Sequence, residues 1–193
     1  LFGMSSLDAL KALRFDNFER RGRVGLGQLQ SDSLENAFNQ AFHFAQNRQG
    51  WLLLMGKYGC GKTHLAAAIA NQGIEDGVET LFLTVPDLLD WLRSAYASSE
   101  MSFEERFEEI REMPLLILDD FGTQNATEWA QEKIFQILNH RYVNQLPTVI
   151  TSNNLLRDFE GRIRSRLQDP NLVTHVRILS PDYRNPTDDT GHP

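Results

Sequence analysis

Residues Gly56-Lys57-Tyr58-Gly59-Cys60-Gly61-Lys62-Thr63 follow an apolar run, Trp51-Leu52-Leu53-Leu54-Met55, and open into Thr63-His64-Leu65-Ala66-Ala67-Ala68-Ile69-Ala70. The apolar run reads as a buried strand, and the stretch after the loop, dense in strong helix formers, as a helix. Between them, Gly56, Gly59 and Gly61 allow backbone angles closed to other residues, so successive N–H groups can turn inward. The helix N-terminus adds its own unpaired N–H groups and the positive end of its dipole. The pattern is a Gly-x-x-x-x-Gly-Lys-Thr phosphate loop, in which Lys62 reaches the β- and γ-phosphates and the Thr63 hydroxyl ligates Mg²⁺. Gly56 through His64 are therefore the expected contacts of a bound nucleoside triphosphate.

The chain has 193 residues, 41% of them hydrophobic, enough for one domain with a sizeable core. Its one cysteine, Cys60, lies inside the loop, so no disulfide forms within the chain and a reducing cytoplasm is the expected setting. No window approaches the roughly 18 consecutive apolar residues of a membrane span, and the start lacks the apolar core of a signal peptide. Met4 is the first methionine, which suggests a fragment or trimmed chain. The net charge of -7 argues against a surface that coats duplex DNA indiscriminately. Basic residues gather at Arg14, Arg20, Arg21 and Arg23, and again at Arg157, Arg162, Arg164 and Arg166. Glu104, Glu105, Glu108, Glu109 and Glu112 read as a solvated helix face between them.

Residues 1–30 read as an N-terminal arm with two aromatic anchors, Phe15 and Phe18. Residues 31–180 read as the folded domain, and 181–193 as a polar, Pro-rich, loose tail. A helix is expected from Ser31 to Gln49, capped by Ser31 or Asp32, with Leu34, Phe38, Ala41, Phe42 and Ala45 at helical spacing. Strands and helices then alternate: a strand at Thr80–Val85, a helical pair across Pro86–Glu112, a strand at Leu115–Asp119 and a helix near Thr127–Asn144. A strand at Thr148–Thr151, a short helix near Glu160–Leu167 and a strand near Leu172–Leu179 complete the series. The strands are continuous apolar runs, as burial on both faces requires, and this predicts a doubly wound α/β fold with a five-stranded, mostly parallel sheet flanked by helices.

Leu115-Leu116-Ile117-Leu118-Asp119-Asp120 is a buried strand ending in two carboxylates, a Walker B pattern. Asp119 is the expected Mg²⁺ ligand and Asp120 the group that orients the attacking water. Asn153, at the tip of the strand Val149-Ile150-Thr151, suits a contact with the γ-phosphate or that water, although a turn residue after a strand is Asn's ordinary role. Arg162 and Arg166 lie one helical turn apart, fit either to reach a neighbouring subunit's γ-phosphate or to form a solvated basic face.

This succession of motifs resembles the initiator and helicase-loader clade of AAA+ ATPases, and most of all the DnaC/DnaI helicase loaders and the related IstB transposition ATPases. The likeness runs from about Arg14 to Arg184, with Phe15-Asp16-Asn17-Phe18 similar to the segment that introduces the ATPase domain. It implies a P-loop NTPase of the AAA+ type, with ATP and Mg²⁺ as cofactors and slow, Mg-dependent hydrolysis. Lys62 and Thr63 then belong to Walker A, Asp119 and Asp120 to Walker B, and Asn153 is sensor 1. Arg166, with Arg162 a lesser candidate, is the arginine finger acting in trans, and Arg184 a second sensor. The resemblance further implies an ATP-dependent homo-oligomer working in replication on single-stranded DNA, with a replicative helicase or a transposase as partner. Asp120 stands where many members have Glu, and a separate helicase-binding domain has no room in this chain.

In the same clade an added helical element at Pro86–Glu112 contributes to assembly and single-strand binding. Tyr96, Arg106 and Phe107 are its candidate DNA contacts, whereas Trp91, spaced with Leu88, Leu92 and Ala95, reads as core. The five histidines show no metal-ligand spacing. The rival readings are a transposition helper, a small-molecule P-loop kinase and a non-catalytic nucleotide-gated scaffold.

Overall fold

The computed structural model describes residues 6–95, 103–122 and 127–184. Strands β1 (Trp51–Gly56), β2 (Thr80–Thr84), β3 (Leu115–Asp119), β4 (Thr148–Ser152) and β5 (Val173–Ile178) form one sheet in the order β2-β3-β4-β1-β5. Every neighbouring pair is parallel. The helices are α1 (Gln28–Asn47), α2 (Lys62–Glu75), α3 (Val85–Ala95), α4 (Phe103–Glu112), α5 (Glu128–Val143) and α6 (Gly161–Leu167). Among the described residues no helix is long and apolar enough to cross a membrane.

Successive strand residues point to opposite faces of a sheet. Leu52 and Leu54 accordingly pack with Phe38, Phe44 and Leu65 under α1 and α2, while Trp51 and Leu53 join the layer of α3 to α6 with Leu88, Phe107, Ile137 and Leu167. Strands β1 to β4 are the buried runs the sequence shows. At the sheet edge, β5 departs from that expectation: Thr174, His175 and Arg177 are exposed between buried Val173, Val176 and Ile178.

Strands β1 and β4 are neighbours, yet the helix after β1 packs on one face and the helix after β4 on the other. A crevice opens at the carboxyl ends of two such strands. The loop after β1, the tip of β3 and the tip of β4 all meet there.

Helix α1 begins at Gln28, three residues before the expected start, and ends at Asn47 rather than Gln49. Gln30 supplies the cap acceptor, its Oε1 taking the Gly27 N–H at 3.1 Å. Ser31 sits inside the first turn and donates instead to the Arg21 carbonyl at 3.1 Å, and Asp32 accepts from Gln28 at 2.7 Å. Ahead of it, Phe15 meets Phe38 and Phe42 edge-on, with ring centroids 5.6 and 5.4 Å apart, and Phe18 lies 6.0 Å from Phe38. Of the supposed loose tail, Tyr183 is docked, its N–H donating to Gly59 O at 3.0 Å and its hydroxyl to Glu19 at 2.8 Å. Positions 185–193 lie outside the described residues.

Arg141 of α5, which the sequence reading passes over, is fully buried. It donates to Thr148 Oγ1 (2.9 Å) and to the carbonyls of Arg111 (3.0 Å), Met113 (2.8 Å) and Pro147 (2.7 Å). It thereby ties the entries of β3 and β4 together. Burial pulls its guanidinium down to about 9, opposed by the Glu112 charge, so it remains a cation at neutral pH. Arg141→Ala leaves four oxygens short of a donor and opens a cavity. We expect a loss of roughly 3 kcal/mol, seen as a lower urea midpoint at unchanged slope. Arg141→Lys should recover less than half, because a point ammonium cannot span acceptors arranged for a planar fork.

Candidate nucleotide site

The phosphate loop joins β1 to α2 with Gly59 at φ 68° and Gly61 at φ 102°, left-handed conformations that favour glycine. Lys62, only 5% exposed, opens α2. Its ammonium has three N–H groups, and three oxygens receive them: Gly56 O at 2.9 Å, Lys57 O at 2.7 Å and Asn153 Oδ1 at 2.7 Å. Since Lys is a donor only, the contact fixes which end of the Asn153 amide faces it. The Nδ2 end is consequently turned away, buried and without a hydrogen-bond partner. An orphaned buried donor is costly.

Thr63 Oγ1 lies 3.1 Å from both oxygens of Asp119, a buried carboxylate at the end of β3. Thr151 Oγ1 donates to Asp119 Oδ1 at 2.6 Å. Burial pushes the Asp119 carboxyl up and the Asp120 charge adds to that, while hydrogen bonds from Thr151 and Thr63 and the Lys62 charge pull it down. A hydroxyl and a carboxylate converging beside a phosphate loop are the oxygen donors Mg²⁺ takes. Asp120 follows at φ 55°, its N–H donating to Thr151 Oγ1 at 3.1 Å.

The other loop residues divide by role. Lys57 and Tyr58 are exposed, and Cys60 is buried, its thiol pushed up by that burial and so kept protonated. The His64 ring turns toward the arm, with Nε2 2.9 Å from Arg14 O and 3.1 Å from Asn17 Oδ1 and its edge against Phe18. Its side chain thus joins loop to arm. A cavity of about 490 Å³ lies between them, lined by Leu13, Phe18, residues 59–64, Tyr183 and Arg184. Arg184 has its backbone N–H and Nε both on Asp182 Oδ1, at 2.8 and 3.3 Å.

The two candidate arginines differ in their surroundings. Arg162 is bound by Glu132 at 3.2 Å and Glu160 at 3.1 Å. Arg166 meets neutral groups: Asn139 Oδ1 at 2.9 Å, Arg162 O at 2.9 Å and the Phe135 ring at 4.6 Å. These contacts lie on α5 and α6, so the structure does not bring Arg166 to the loop of its own chain. Of the candidate DNA contacts, Phe107 is buried, 7% exposed and stacked on Phe103, and is a core residue. Arg106 lies over the half-buried Trp91 at 4.8 Å, and Tyr96 falls outside the described residues.

The family model for IstB-like ATP binding proteins matches residues 5–179. The chain belongs to that family. The replicative helicase loader DnaI of Bacillus subtilis is 35% identical over 103 residues, covering 53% of this chain and 32% of DnaI. The replicative helicase loader DnaC of Escherichia coli K12 is 28% identical over 137 residues, covering 69% of this chain and 56% of DnaC. The chain thus spans about a third of one relative and a little over half of the other. Among solved structures, that of DnaI superposes with a TM-score of 0.70 at 25% identity over 91% of this chain and 93% of that one. Replication initiator DnaA bound to AMPPCP and single-stranded DNA gives 0.70 at 19% identity over 86% and 50%, a likeness of fold. The α/β domain is thereby of the AAA+ P-loop type, as its motifs imply.

Replacing Lys62 by Ala removes a charge-assisted contact worth roughly 1.5–3 kcal/mol. Calorimetric titration with ATP should show affinity falling by about 10- to 100-fold, with the circular dichroism of the fold retained.

Proposed function

We propose that this chain is an Mg-dependent ATPase of the helicase-loader type, acting in the cytoplasm in DNA replication. It assembles as a homo-oligomer on ATP and engages single-stranded DNA or a replicative helicase. The observation that carries the reading is the Asn153 amide, with Oδ1 held by Lys62 and Nδ2 an unsatisfied donor beside the two Walker motifs. Such a group distinguishes a γ-phosphate from its absence. The names of DnaI and DnaC, replicative helicase loaders, support the loader reading.

In this reading Lys62 and the loop N–H groups hold the β- and γ-phosphates. Thr63 and Asp119 hold Mg²⁺, which when bound neutralises charge on the phosphates. Asp120 orients the attacking water and takes up its proton, and Asn153 Nδ2 donates to a γ-phosphate oxygen or to that water. Arg166, which forms no ion pair among the described residues, is the better finger for the next subunit's γ-phosphate. Arg162 is already committed to Glu132 and Glu160. Arg184, which lines the cavity beside the phosphate loop, is the second sensor in this reading.

Asp120→Asn should hold ATP within about threefold of wild type yet hydrolyse it about 100-fold or more slowly, and EDTA should abolish turnover of the wild type. For Arg166, mixing decides. Arg166→Ala and Lys62→Ala chains, each inactive alone, should regain part of the activity together, because one supplies an intact loop and the other an intact finger. An Arg166→Ala protein as active as wild type would contradict the shared site. Stimulation by a transposase and not by helicase or single-stranded DNA would move the assignment to a transposition helper.

A further inference from the structure

The pairing of β3 with β4 runs through Leu116–Thr148, Ile117–Val149 and Leu118–Ile150, ending one residue short of the Walker B carboxylates. Side chains continue it. Thr151, fully buried, donates its hydroxyl proton to Asp119 Oδ1 at 2.6 Å and accepts the Asp120 N–H at 3.1 Å. A hydroxyl offers one donor and two acceptor positions, so one Oγ serves both carboxylate residues without conflict. Beyond it the Phe121 N–H donates to Thr151 O at 2.8 Å, Ser152 Oγ to Phe121 O at 2.6 Å, and Asn154 Nδ2 to Gly122 O at 2.6 Å. Residues 119–122 are therefore laced to residues 151–154.

The lacing matters because Asp120 has a φ of 55°, a conformation seldom adopted by residues other than glycine, though Asp tolerates it better than most. A residue there keeps that backbone only when its neighbours hold it. An extended φ in its place would turn the Asp120 side chain in a different direction from the one it takes beside Asp119.

We propose that Thr151 is a positioning residue for hydrolysis: its single hydroxyl sets the Asp119 carboxylate and the left-handed backbone of Asp120, and so aims Asp120 at the water. This rests on the reading of Asp120 given above. It makes β4 the carrier of two functions, since Asn153, two residues along the same strand end, addresses the phosphate while Thr151 addresses the group that activates water.

The test uses Thr151→Val, which keeps the shape and β-branching of Thr but not its hydroxyl, and Thr151→Ser, which keeps the hydroxyl. Hydrolysis is measured where the wild type turns over, with single-stranded DNA and helicase present. Thr151→Val should lower kcat by about 10- to 100-fold while KM for ATP stays within about threefold, and Thr151→Ser should retain at least about half of kcat. Independently of activity, amide hydrogen exchange at Asp120 should accelerate about tenfold or more in Thr151→Val and not in Thr151→Ser. Wild-type kcat or unchanged Asp120 exchange in Thr151→Val would overturn the proposal. So would an equal loss of kcat in both variants. Asp120→Asn separates the levels: if it abolishes hydrolysis and Thr151→Val does not, the positioning role alone fails, whereas wild-type hydrolysis by Asp120→Asn removes the reading beneath it and the proposal together.

Discussion

A buried ammonium must find an acceptor for each of its protons, and in this fold Lys62 finds three. Two are carbonyls at the start of the phosphate loop, and they close the loop on itself. The third is Asn153, on a different strand, and its distance to Lys62 depends on β4 lying beside β1. The sheet order, the loop closure and the amide's orientation are thus one constraint. If β4 lay elsewhere, the lysine would lack its third acceptor and nothing would fix which end of the Asn153 amide faces it.

The opposite side of β4 makes the second half of the site. Asp119 is shared by Thr63 from α2 and Thr151 from β4, so the prospective metal ligand is bounded by the loop helix on one side and the sensor strand on the other. Phe121, on the laced segment after Asp120, packs on Phe159 at 5.2 Å between ring centroids, just before α6 begins. A continuous set of contacts therefore joins the nucleotide crevice to the helix that carries Arg166.

Much of this was legible in the residues. The loop after β1 was readable because only a short menu of sequences cradles phosphate, and β1 to β3 because each carries an apolar run of at least three residues. Asn153 was readable as a strand tip, but its contact with Lys62 depends on β4 lying beside β1, which the sequence alone does not show. Thr151 was not legible as a functional residue, since its contacts depend on strand register, which a single sequence does not print. Arg141 was hidden for a related reason: a lone arginine in a helix reads as a solvated face until the loops around it are placed. The early start of α1 came from Gln30 supplying the cap where Ser31 was expected to. Phe107 resembled a candidate stacking platform only because helical spacing leaves the buried side of a short amphipathic helix undetermined.

In the proposed site Lys62 and Asn153 together recognise a γ-phosphate. The direct measurement is the ¹⁵N and ¹H shift of the Asn153 side-chain amide in solution, titrated separately with ADP and with a non-hydrolysable ATP analogue in the presence of Mg²⁺. Such recognition gives a large shift and slowed amide exchange with the ATP analogue and little change with ADP. Equal responses to the two nucleotides, or none to either while both bind, would contradict it.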